Sequence, residues 1–180
     1  YLMKSSALTF SQTDEDRPAL LVAAGEDAAL YPLHKHAFGQ VADKLGIPRA
    51  FAERLASGEA PHRQLLIHNL NQLAWAGDEG RHLARTVNGE VRGFLSDRYR
   101  RMDGRPIVEA FAAAVEAAGA VPYDGVSTDV SFSIRAILPI VHEPVPGEAL
   151  AFGLELCSSD YGARALSVSL YALRIRCANL

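Results

Sequence analysis

Val126-Ser127-Thr128-Asp129-Val130-Ser131-Phe132-Ser133-Ile134-Arg135-Ala136-Ile137-Leu138-Pro139-Ile140 decides the fold class. Val126, Thr128, Val130, Phe132, Ile134, Ala136, Leu138 and Ile140 are every second residue. Ser127, Asp129, Ser131, Ser133 and Arg135 fall between them. A period of two is the pleat of a strand with one buried and one wet face, as in an antiparallel sheet. The spacing predicts one long strand over 126–140, with Phe132, Ile134 and Leu138 in the core. Phe132→Ala is then expected to cost about 3–5 kcal/mol.

Downstream, Pro144-Val145-Pro146-Gly147 turns the chain, and Leu150, Phe152, Leu154 and Leu156 repeat the alternation. After Ser158-Ser159-Asp160-Tyr161-Gly162 a last strand is expected from about 165 to 177. Its phase slips between Leu170 and Leu173. A bulge near Tyr171 is expected to repair it and bring Arg174 and Arg176 to the polar face. Upstream, Asn88-Gly89 sits between alternating runs at 82–87 and 90–95, the strongest short hairpin signal because both positions take positive φ. Met102–Pro106 turns into a helix whose buried face carries Ile107, Phe111, Val115 and Ala118, and Gly119 stops it. Residues 81–180 therefore read as β-β-α-β-β-β, an antiparallel α+β sheet with a helix packed on one face.

Residues 33–80 form a helical lobe of three helices. Their stripes are Phe38, Val41 and Leu45; Ile47, Phe51 and Leu55; and Leu66, Leu70 and Leu73. Gly46, Gly58 and Gly77-Asp78-Glu79-Gly80 are the breaks, the last a candidate lobe boundary. Residues 1–32 read as an irregular segment with extended pieces at ALTF and ALLVA around the turn-prone Asp14–Pro18. The alternative is one continuous domain.

The 180 residues are 49% apolar and 22% charged, the composition of a globular chain rather than a disordered or fibrous one. Eighteen basic and 21 acidic side chains leave a net charge of −3, which excludes a uniformly basic coat for nucleic acid. No run approaches the ~20 apolar residues that span a bilayer. Cys157 and Cys177 form no CxxC pair and are expected as buried thiols, neither bridged nor bound to metal, in a reducing cytoplasm. The N-terminus lacks the long apolar core of a signal peptide, and the chain begins at Tyr1 rather than methionine, as a fragment or a trimmed chain does.

The charge is uneven. Residues 81–105 hold seven arginines (Arg81, Arg85, Arg92, Arg98, Arg100, Arg101 and Arg105) and no lysine, against Glu90, Asp97 and Asp103. That stretch is +4 and the remainder −7. Guanidinium forks match phosphate geometry, and Tyr99 among them is placed to stack a base. The candidate nucleic-acid contacts are Arg92, Arg98, Arg100 and Arg101, with Tyr99 for stacking and Arg174 and Arg176 as second choices. A solvated hairpin whose arginines pair with local acids explains the same residues and stands at least level with this reading.

Gln40–Pro48 has the alanine-to-glycine spacing of a helix-turn-helix, but RAFAERLA offers few base-reading side chains, and a packed helical hairpin is preferred. His34-x-His36 leads into a helix, where residues two apart do not share a face, and reads as surface. Asn69, Asn71, Gln64 and Gln72 read as the wet side of their helix. No phosphate loop, dinucleotide fingerprint, nucleophile elbow or HExxH occurs, and no tight acid pair suits two metals. No catalytic residue, metal or cofactor is assigned.

Three segments resemble a known family. GEVRGFLSDRYRRMDGRPIVEAF (89–111) is similar to the hairpin-and-helix block of the phage- and plasmid-borne proteins of the domain of unknown function 932 family. ELCSSDYGARALSVSLYALRIRCANL (155–180) is similar to that family's closing block, and HAFGQVADKLGIPRAFAERL (36–55) to its preceding helical pair. The resemblance covers roughly 36–179. It departs at Leu180, where a glycine is expected after the final asparagine. It implies a bacterial mobile-element context, in DNA metabolism or conflict with the host, and carries no catalytic residues. The strand order is also similar to the core of phage single-strand annealing proteins, an analogy of fold alone.

Three functions are expected in competition. The leading one is non-catalytic binding of single-stranded DNA in annealing or recombination, with oligomerisation extending the site. The second is a protein-interaction module acting on a host or phage protein. The third is a duplex-binding regulator using residues 38–55.

Overall fold

The computed structural model describes residues 1–24, 27–77, 80–100 and 102–175. The chain divides into two compact units, Tyr1–Arg100 and Arg101–Leu180. The division expected at 77–80 therefore falls some twenty residues later. The described residues form a mixed α+β structure with four α-helices and three antiparallel sheets.

The N-terminal unit holds β1 (Leu2–Lys4), a 3₁₀ turn at Ser5–Ala7, β2 (Thr9–Gln12), β3 (Pro18–Ala24) and β4 (Asp27–Pro32). Then follow α1 (Lys35–Lys44), α2 (Arg49–Ala56), α3 (Ala60–Ala76), β5 (Arg81–Val87) and β6 (Glu90–Ser96). The segment expected to be irregular is thus largely sheet, ordered β2-β3-β4. The ALTF and ALLVA pieces supply Phe10 and Leu20, which stand opposite each other and are both buried.

The helices end where glycine allows. Gly46 takes φ +71, and Ile47 N–H donates to Ala42 O at 2.8 Å, closing α1 in a Schellman turn. Phe38, Val41, Leu55, Leu66 and Leu70 enter the core as expected. Phe51 and Leu73 do not: they are 38% and 42% exposed, and Ala52 and Ala74, one position on, are buried instead. The small side chains let the backbones approach, and this turns each stripe by one residue. Asn71, read as wet, is half-buried. Its carboxamide accepts from Phe10 N–H (2.7 Å) and donates to Phe10 O (3.0 Å), taking the place of a strand on the open side of β2.

The Asn88-Gly89 turn has both φ values positive, and β5 and β6 lie where the hairpin was expected. Its sheet differs. β5 pairs with β1, giving the order β1-β5-β6, so this hairpin is no part of the later sheet. The single β-β-α-β-β-β layer expected for 81–180 is thereby corrected. A hairpin fixes its own register through its turn, but its outer neighbour is a long-range choice.

The C-terminal unit holds α4 (Gly104–Ala117), β7 (Val121–Ser127), β8 (Phe132–Val145), β9 (Glu148–Ser158) and β10 (Ser167–Ile175), with strand order β10-β9-β8-β7. The run 126–140 is not one strand. The chain reverses at Thr128–Ser131. There the Thr128 hydroxyl accepts from Ser131 N–H (3.0 Å), and Thr128 N–H donates to Ser131 O (2.8 Å). A side chain that bonds its own backbone competes with the ladder. Past the turn the expected even face holds only in part: Ala136 is buried, Ile134 and Leu138 are half-buried, and Ile140 is 54% exposed. Ala136 and Leu138 pack with Phe111 and Val115 of α4. Phe132 is only half-buried, so Phe132→Ala is expected to cost less than the core figure. The bulge expected near Tyr171 is absent, and β10 pairs with β9 in unbroken register from Ser167 to Ile175.

Candidate functional site

One end of the β1-β5-β6 sheet collects cations. Lys4 of β1 and Arg81 of β5 stand directly opposite each other in the register. Asp97 N–H donates to Arg81 O (3.2 Å), one rung beyond the β5–β6 pairing, and Tyr99 N–H to Ser96 O (3.1 Å) turns the chain, so the segment that carries Arg98 and Arg100 leaves the sheet at this end. Lys4, Arg81, Arg98 and Arg100 are exposed, and among the described residues none has an ion-pair partner. Like charges directly opposite on neighbouring strands repel, which costs stability unless an anion lies between them. Asp97 is the acid beside them, exposed and unpaired among the described residues. Tyr99, between Arg98 and Arg100 in the chain, is half-buried.

Behind this end lies His82, half-buried and stacked on Phe94 with ring centroids 4.9 Å apart. Ser5 Oγ donates to Gly80 O at 2.9 Å, and His82 Nε2 is 2.9 Å from Ser5 Oγ. A hydroxyl has one hydrogen, so Nε2 carries the proton and donates, leaving Nδ1 as an acceptor. Nδ1 is buried without a partner among the described residues. Desolvation, then the Lys44 cation, hold the imidazole below its ordinary pKa of 6.5, against a smaller opposing pull from Asp97. The folded state thus binds this proton less readily than the unfolded chain. Its contribution is present above about 6.5 and lost as pH falls through the lower folded value. The thermal midpoint of the intact chain's N-terminal transition is expected to fall from pH 7 to pH 5, and to fall less in His82→Gln. Parallel pH profiles for the two proteins would refute the assignment.

The other candidate residues are scattered. Arg92 lies on β6, half-buried, with Nε 3.9 Å from Glu90, which also receives the Arg17 guanidinium. Arg174 lies on β10, paired with Glu148. Arg101, Arg176 and Cys177 lie outside the described residues. Cys157 is a buried thiol on β9. Of the seven expected contacts, Arg98, Tyr99 and Arg100 share one loop. Lys4 and Arg81 join them and were not proposed from the sequence. The 38–55 segment folds as a helical pair in which Arg49 Nε donates to Asp43 (2.8 Å), so the cation that opens the second helix is engaged within the protein. His34 Nδ1 accepts from His36 N–H (3.2 Å) and caps α1. Among the described residues no group of three or more His, Cys, Asp or Glu side chains could hold a metal ion, and no helix is long and apolar enough to cross a membrane.

The C-terminal unit carries a second polar feature. Asp124, Arg135 and Glu155 stand in one cross-strand row on β7, β8 and β9. Ser133 Oγ donates to Glu155 (2.7 Å), as do Arg135 Nε (3.1 Å) and Nη2 (3.0 Å). These bonds, the serine first, hold the Glu155 carboxyl below its ordinary range. The row borders a cavity of about 240 Å³ that Thr128, Ser131 and Arg164 also line. A carboxylate stabilised in its ionised form is a weak general base, so Ser133 and Glu155 do not make an activated nucleophile.

Compared with protein-family models, with curated proteins and with solved structures, the chain matches none.

Proposed function

We propose that the protein binds nucleic acid non-covalently at the basic end of the β1-β5-β6 sheet, and that the ligand is single-stranded DNA. The observation that carries this is the unpaired, like-charged Lys4–Arg81 pair beside the Arg98 and Arg100 loop. A phosphate between two such cations removes their repulsion and releases the counterions condensed on the strand. Tyr99 between the two loop arginines favours a single strand, because a duplex hides the base faces that an aromatic side chain stacks upon. The surrounding chain is net negative, which confines a polyanion to this end. The resemblance to phage- and plasmid-borne proteins fits a role in annealing or recombination.

Four phosphate contacts on a single strand give a slope of about −3 in log affinity against log salt, from ~0.7 per phosphate. Fluorescence anisotropy of a labelled oligonucleotide over a salt series is expected to show it. Replacing Arg98 and Arg100 together by alanine removes two contacts and flattens the slope to about −1.4. The loss is equal for all sequences. Absence of binding at low salt, or a slope untouched by the double substitution, sinks the reading. A duplex bound as tightly as the single strand removes the stacking role of Tyr99.

A further inference from the structure

We infer that the cavity at the β7–β8 turn is a binding site for a free α-amino acid, held through its ammonium and its carboxylate. Its lining residues all belong to the C-terminal unit, and the inference does not rest on nucleic-acid binding. The cavity has a built wall. Ser159 is only 4% exposed. Its hydroxyl donates to Val130 O (2.5 Å) and accepts from Tyr161 N–H (3.1 Å) and Ala163 N–H (2.9 Å). One buried side chain thus ties the loop after β9, which carries Arg164, to the turn after β7. The Thr128 hydroxyl fixes that turn by accepting from Ser131 N–H (3.0 Å). The floor is the Asp124–Arg135–Glu155 row. The space of about 240 Å³ equals the liquid volume of about eight waters, enough for an amino acid with a small side chain.

The hydrogen-bonding capacity of the lining is partly spent, and what remains has both signs. Ser133 gives its hydrogen to Glu155 (2.7 Å), and the Thr128 and Ser131 hydroxyls bond each other (3.1 Å). Arg135 directs Nε and Nη2 to the same Glu155 oxygen, Oε1, which leaves Oε2 unused among the described residues. Asp124 Oδ1 accepts from Gly125 N–H (2.7 Å), whereas Oδ2 stands 3.9 Å from Arg135 Nη1, too far for a hydrogen bond. Arg164 is exposed and makes no ion pair among the described residues. The unspent donors are therefore guanidinium N–H groups and the unspent acceptors carboxylate oxygens. Ser133 first, then Arg135, with the Arg164 cation adding its pull, hold the Glu155 carboxyl below its ordinary range, so Glu155 is ionised and only accepts.

Charge selects the class of ligand. Asp124 and Glu155 repel an anion, Arg135 and Arg164 repel a cation, and the four sum to zero. A small molecule with one charge of each sign satisfies both pairs. A carboxylate matches the planar fork of Arg164, and an ammonium offers three hydrogens to the carboxylate oxygens. An α-amino acid carries both groups on one carbon, a separation that suits charges alternating across strands about 5 Å apart. A sugar is disfavoured. The one ring among the described lining residues, Phe132, is packed on α4, where a Cβ added at Gly104 would meet its Cε1 at 2.8 Å. No aromatic face is therefore offered to a sugar ring.

The test is amide NMR of the whole chain, without nucleic acid, titrated with four probes: L-alanine, L-alaninamide, N-acetyl-L-alanine and glucose. L-Alanine is expected to shift the amides of Asp124–Arg135, Glu155 and Arg164 and to saturate. L-Alaninamide lacks the carboxylate and N-acetyl-L-alanine the ammonium, so each is expected to bind about tenfold or more weakly, the worth of one charge-assisted hydrogen bond. Arg164→Ala is expected to weaken L-alanine by a similar factor and to leave the rest of the spectrum in place, because this side chain supports no ion pair of the fold. Asp124→Asn gives a second variant on the opposite charge. The absence of saturable shifts at these residues with L-alanine overturns the inference. So does equal binding of the three alanine compounds, binding of glucose as tight as that of L-alanine, or wild-type affinity in both folded variants.

Discussion

Phe94→Ala is expected to lower the stability of the N-terminal unit by about 3–5 kcal/mol. Phe94 is fully buried on β6. Its ring stacks on His82 at an interplanar angle of 18°, and its amide is held by Gln40. Truncation removes the transfer free energy of the ring and leaves a cavity that the surrounding β-sheet cannot close. It also opens a path for water to the His82 imidazole, so the acid sensitivity of the unit should weaken in the same variant. A unit of this size loses roughly 4–8 °C of midpoint per kcal/mol, which makes the shift more than about 12 °C. Thermal unfolding followed by circular dichroism measures it. A shift of less than about 4 °C would show that the core does not centre on this residue.

The Phe94 hairpin was readable because its signal is local. Asn88-Gly89 is required by a turn whose two central residues take positive φ, and both do. Gly46 and Gly119 were readable for the same reason, each closing a helix at positive φ. The strand run over 126–140 misled because alternation survives a reversal. Ser127 and Phe132 end up paired across the turn, and counting every second residue cannot detect that the direction has changed. The warning was the cluster Ser127-Thr128-Asp129, short polar side chains that favour turns. β1 was invisible, since three residues carry no period. At β10 the reading failed differently. It assumed that all large apolar residues share a buried face and inserted a bulge to achieve it, whereas the register is regular and Val168 and Leu170 are exposed.

The candidate site was half legible. The excess of arginine over 81–105 pointed to Arg98, Tyr99 and Arg100, which are neighbours in the chain. Lys4 lies 77 positions before Arg81, and only the β1–β5 pairing brings the two together. No composition argument could separate Arg98, unpaired among the described residues, from Arg92, which sits beside Glu90, because a partner two residues away lies on the same side of a strand. The Arg135–Glu155 pair was half visible in the same way: the wet face of the alternation contained Ser133 and Arg135, but their acid arrives from the next strand.

Gly153→Ala is expected to destabilise the C-terminal unit by about 1–3 kcal/mol, although it adds one methyl group. Gly153 lies in the interior of β9, between Ile137 of β8 and Tyr171 of β10. A Cβ there would meet the carbonyl oxygen of Ala136 at 2.6 Å and lie closer still to the ring of Tyr171. Glycine inside a strand marks such a close approach. The Tyr171 ring crosses the vacant position, its hydroxyl reaches Ala136 O at 3.4 Å, and the Arg135 guanidinium lies 5.9 Å from its centroid. A methyl group must therefore displace both a side chain and a piece of backbone. Tyr171 can rotate away, but the Ala136 carbonyl belongs to the β8–β9 ladder and cannot move without lengthening its bonds. Adding Tyr171→Leu to Gly153→Ala should accordingly recover part of the loss and not all of it. Urea unfolding of the two single variants and the double variant measures the coupling between the sites. Full recovery would mean that the clash is with the ring alone. Purely additive losses would mean that the ring does not lie across the glycine, and the packing of the sheet's polar face would need a different account.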